Sequence, residues 1–90
     1  MAQYGNAMKV LFVVMTLYVG SLDPEIDSWV WPNGMPACEQ EVATLKPLYE
    51  AAEGDTGSDG RVISKMVATC YLQRLSESPD DVIRNVRQKL

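Results

Sequence analysis

Ninety residues with 47% apolar content suit one small α+β domain spanning residues 1–90, burying about 65% of its unfolded surface. A net charge of −4 argues against binding nucleic acid by phosphate neutralisation. The chain has no histidine, which removes the usual general base and the commonest metal ligand, so the expectation is a protein that is not an enzyme and needs no metal or cofactor.

The first apolar run, Val10–Val19, is apolar on both alternating faces, as a central strand covered on both sides would be. A second reading stays open at this point. Lys9 precedes the run and small residues follow it, so residues 8–21 could be a signal segment of an exported domain. At ten residues the run is too short to span a bilayer, which takes about 20.

A turn around Asp23-Pro24 leads to Glu25–Trp31, whose β-branched and aromatic residues read as a second strand ended by Pro32-Asn33-Gly34. Trp29 and Trp31 share a face of it, as core or edge cover or as a binding platform. Asp23, Glu25 and Asp27 alternate as a solvated edge would. Pro36 suits the first turn of a helix, and Cys38, Val42, Leu45, Tyr49 and Ala52 form its apolar stripe. Glu39 and Glu41 are expected to favour its N-terminal dipole. Pro47 is expected to kink or break it, because proline loses a hydrogen bond and crowds the carbonyl of Ala43.

The stretch Asp55–Gly60 partly matches a calcium loop, with aspartates at its first and fifth positions. Gly57 and Met66 stand where oxygen ligands belong, so it reads as a strand-connecting turn. A third strand is expected over Val62–Leu72, with Val62, Met66, Ala68, Cys70 and Leu72 on one face and Ile63, Val67 and Tyr71 on the other. Ser78-Pro79-Asp80-Asp81 is a helix start, followed by apolar Val82, Ile83, Val86 and Leu90, with Arg84, Arg87 and Lys89 toward the C-terminal end.

The order is therefore β-β-α-β-α, an antiparallel-type three-stranded sheet in the order 2-1-3 with a crossover helix on one face. The short last helix has no forced position. A helix from Cys38 to Glu53 is ~22 Å long at 1.5 Å per residue. A strand from Val62 to Cys70 is ~27 Å long. These matched lengths bring Cys38 and Cys70 to one pole, where a disulfide is expected; two reduced, buried thiols are the alternative. Charge is uneven: residues 1–60 carry Lys9 and Lys46 against nine carboxylates, residues 61–90 six basic groups against three acidic ones.

The pattern of Met8-Lys9 before an apolar strand, a short second strand, Ala37-Cys38-Glu39 opening a helix, and a cysteine in the last strand resembles small uncharacterised proteins of phages and proteobacteria, over residues 8–72. The resemblance implies a phage-type accessory protein, a minor virion component or an inhibitor of a host factor, in the virion or host cytoplasm. The expected function is binding a protein partner, with Trp29, Trp31, Tyr71, Arg84 and Arg87 as contact residues.

Overall fold

A computed structural model describes residues 8–88. Leu90 and Lys89, assigned above to the last helix, lie outside them. The elements are β1 (Met8–Tyr18), β2 (Glu25–Val30), α1 (Gly34–Ala51), β3 (Ile63–Arg74) and α2 (Pro79–Arg87). They form an α+β fold with an antiparallel sheet in the order β2-β1-β3.

The central strand is apolar on both faces because both faces are covered. Leu11, Val13 and Met15 point to one side, where Val82 and Val86 of α2 close over them. Phe12 and Val14 point to the other, against Cys38, Val42, Leu45 and Tyr49 of α1. The C-terminal helix thus takes the face that α1 leaves open. Its start follows the sequence closely: Asp81 donates its backbone N–H to Ser78 Oγ at 3.2 Å, and Ser78 N–H donates to Asp81 Oδ2 at 3.1 Å. This reciprocal cap, with Pro79 in the first turn, stabilises a helix too short to persist alone.

The crossover helix differs from expectation in two respects. It begins at Gly34, so no acidic residue lies in its first turn and Glu39 comes too late to serve the N-terminal dipole. It also runs unbroken through Pro47. Pro47 is exposed, whereas Leu45 and Tyr49 on either side are anchored on the sheet, so packing carries the helix past the missing hydrogen bond. Gly34, at φ 87°, turns the chain from β2 into α1 in a conformation that strains any residue with a side chain.

The third strand starts at Ile63 and continues to Arg74. Leu17 pairs with Lys65 but Tyr18 with Ile63, so β3 carries one extra residue there. That bulge reverses the alternation and moves Ile63 to the face of Tyr18 and Thr16, away from Val67 and Tyr71. Val62 falls outside the strand, in an isolated bridge with Thr56. The helix and strand do return antiparallel. Gly54 N–H donates to Ile63 O at 2.8 Å at one pole, and a Cys38–Cys70 disulfide joins the elements at the other, with Cα atoms 6.1 Å apart.

Candidate interaction surface

β2 and β3 are the two edges of the sheet, and they are covered unequally. The crossover helix packs mainly over β3 and reaches only part of β1. Five of the six β2 residues are exposed, Ile26 being the exception. Trp29 pairs with Phe12 across the sheet, their rings 6.0 Å apart, yet Trp29 keeps 54% of its surface exposed. Val30 keeps 61%. Trp31 sits 5.4 Å from the Phe12 ring and is half-buried in the α1-side core, with its indole Nε1 buried and, among the described residues, without a hydrogen-bond partner. The two tryptophans share a face, and Trp29 is the one that meets solvent.

The other end of β2 is acidic. Glu25 accepts from Arg61 Nη2 at 3.0 Å, and Arg61 Nε donates to Asp59 Oδ2 at 2.5 Å. The Arg61 guanidinium also lies 3.9 Å from the centre of the Tyr18 ring. Bonds from the Arg61 backbone and side chain hold the Asp59 carboxyl below its usual range. The Asp55–Gly60 stretch is thereby a turn clamped onto the sheet end. Asp27 is exposed and, among the described residues, joins no ion pair.

The remaining predicted contact residues lie elsewhere. Tyr71 is half-buried on the α2 face and donates its hydroxyl to Glu77 Oε2, while Asn85 Nδ2 donates to the Tyr71 oxygen at 2.9 Å. Glu77 Oε1 also accepts the Arg74 backbone N–H at 2.9 Å. The bond to Glu77 raises the Tyr71 pKa, and the Arg74 and Tyr71 bonds lower that of Glu77. This network fastens α2 to β3. Arg84 pairs with Asp81 at 3.0 Å, and it and Arg87 project from α2, which covers the face opposite Phe12 and the tryptophans. The sheet separates the tryptophan pair from the arginine pair.

A cavity of about 380 Å³ lies between α1 and β3, floored by Val42, Met66 and Ala68 and rimmed by Lys46, Lys65, Glu50 and Glu53. Its cationic and anionic rims balance, and it presents no directed chemistry. Among the described residues no group of three or more His, Cys, Asp or Glu side chains could hold a metal ion, and no helix is long and apolar enough to cross a membrane. The exposure of Asp27 agrees with its expected place on a solvated edge, whereas sequence reasoning overlooked Val30 as a surface residue and Glu77 as an anchor. The strand alternation carries a signal for Val30. Glu77 depends on a turn that brings it back to Tyr71. Comparisons of the chain with protein-family models, curated proteins and solved structures return no match.

Proposed function

We propose that this protein is a non-enzymatic interaction module that binds another protein through the β2 side of its sheet, with Trp29 as the anchor. The observation that carries this reading is a large aromatic, more than half exposed, beside exposed Val30 on an edge strand whose residues other than Ile26 are exposed. Tryptophan at the centre of a contact is a common source of binding energy, and its removal there costs about 2 kcal/mol or more. The role as a phage-type accessory protein, a minor virion component or an inhibitor of a host factor, belongs to this proposal through the resemblance over residues 8–72.

The test is affinity capture of tagged protein from its native host, comparing wild type with Trp29→Ala and with the double variant Arg84→Ala/Arg87→Ala. A partner recovered by wild type and by the arginine variant, and lost with Trp29→Ala, is the expected result. Equal recovery with Trp29→Ala would defeat the reading.

A second reading, a small exported domain, is favoured by the Cys38–Cys70 bridge, since disulfides persist in oxidising compartments. In place of the signal-segment reading of residues 8–21, this form keeps them in the mature chain. Val13 and Met15 of β1 are buried in the core, and β1 alone joins β2 to β3. A native mass corresponding to a chain starting near Ser21 or Leu22 would refute this form.

A further inference from the structure

We propose, building on the interaction role above, that the outer edge of β2 accepts an extended polypeptide segment as a fourth strand, and that this segment alternates basic and apolar residues. The backbone supplies the first reason. Trp31 N–H donates to Val10 O at 2.8 Å, and alternate residues of an antiparallel strand address the same neighbour. Glu25, Asp27 and Trp29 therefore turn their backbone groups toward β1. Ile26, Ser28 and Val30 turn theirs outward, and among the described residues β2 has no strand on that side. These are the groups that strand addition uses.

The side chains define the occupant. Trp29, Asp27 and Glu25 stand opposite Phe12, Val14 and Thr16 on the α1 face. Val30, Ser28 and Ile26 stand opposite Leu11, Val13 and Met15 on the α2 face. One face of the edge is thus two carboxylates and an indole, the other two aliphatic side chains about a serine. A strand laid alongside puts every second residue on each face. Arginine or lysine on the α1 face meets the Asp27 carboxylate and the neighbouring Trp29 ring, combining an ion pair with a cation–π contact. Valine or isoleucine on the α2 face covers Val30 and Ile26.

Charge selects this occupant over a second copy of the chain. Glu25 and Asp27 stand on this edge, Asp59 is drawn to Glu25 through Arg61, and among the described residues no ion pair answers Asp27. Edge-to-edge pairing of two copies would set Glu25 and Asp27 of both chains on one face. Charges on an edge strand discourage such self-pairing, and the same charges attract a basic strand.

The probe is an acetylated, amidated peptide of about nine residues alternating valine and arginine, titrated against the full chain by tryptophan fluorescence, with a valine–glutamate peptide as control. Binding of the arginine peptide should weaken at least tenfold between about 50 and 500 mM salt, as screening of exposed charges requires. Ser28→Pro removes one outward N–H and leaves the β1 ladder intact, so it should weaken binding at least tenfold while the variant keeps its fold. Asp27→Lys, which retains every backbone donor, should weaken the arginine peptide and strengthen the glutamate peptide.

Equal binding of the two peptides, no binding of either, or an affinity unmoved by Asp27→Lys would overturn the proposed strand addition. So would a wild-type dimer dissolved by Asp27→Lys or Ser28→Pro, which would assign the edge to a second copy. Persistence of Trp29-dependent capture alongside any of these results would remove the docking mode and leave the interaction role standing. Capture that does not depend on Trp29 would remove the role itself.

Discussion

Opening the Cys38–Cys70 bridge tests the architecture most directly, because that bond ties the start of α1 to the late part of β3. The residues are 32 apart in sequence. Closing a loop of that length restricts the unfolded chain by ~3–4 kcal/mol on the chain-entropy model. Whole domains of this length have a stability of about 5–13 kcal/mol, so the bridge accounts for about a quarter or more. At about 4–8 °C per kcal/mol, the melting midpoint of the reduced protein should fall by about 12–32 °C. Reduction in denaturant followed by refolding and calorimetry measures the cross-link itself, since both sulfurs remain to pack. The double variant Cys38→Ala/Cys70→Ala should melt lower still, because Cys38 is fully buried and its sulfur leaves a void. A reduced midpoint within about 5 °C of the oxidised one would refute the loop-entropy reasoning.

Val86 is fully buried beneath α2, and Val86→Ala should cost about 2 kcal/mol in urea denaturation; a loss below about 0.5 kcal/mol would mean that α2 does not close the Leu11–Val13–Met15 face. Pro47→Ala restores the bond to Ala43 O at an exposed helical position and should raise stability by about 1 kcal/mol or more; a decrease would show that the helix depends on the proline. The Glu77 and Asp81 carboxyls are held below their usual ranges, Glu77 first by the Arg74 backbone N–H and Asp81 first by that of Ser78. Each therefore contributes stability that is present above its ordinary pKa, 4.5 for Glu77 and 3.8 for Asp81, and is lost as pH falls through the lowered value. Tyr71 behaves oppositely: its pKa is raised from 10.0, so its contribution is complete below that pH and declines above it. Urea midpoints measured from pH 7 down to about 2 should show a shallower acid limb for Glu77→Gln than for wild type; parallel limbs would remove Glu77 from the linkage.

The elements were legible because each rests on residues close together in the chain. Both-face apolarity marks β1 as central, the Cys38–Ala52 stripe marks α1, and Ser78 to Asp81 spells the α2 cap. The disulfide followed from matching two lengths. Pro47 and Val62 misled because local preference was overruled. Anchoring on the sheet carries α1 through the proline, and a one-residue bulge opposite Leu17 and Tyr18 shifts Ile63 to the other face. The network joining Tyr71, Glu77 and Asn85 had no local signature, since a turn and a helix must both fold before the three groups meet.

What the sequence by itself determined is the order of strands and helices, because periodicity and caps act within a few residues; between a Cys38–Cys70 bridge and two reduced thiols the folded chain decided. Only the tertiary structure decided that α2 covers the Leu11–Val13–Met15 face and that β2 is the less covered edge, with Trp29 in solvent and Trp31 half-buried. The physical reason is coverage. One helix shields one face of a sheet, so the second apolar face recruits the last helix, and the strand that α1 does not overlie keeps its side chains in water.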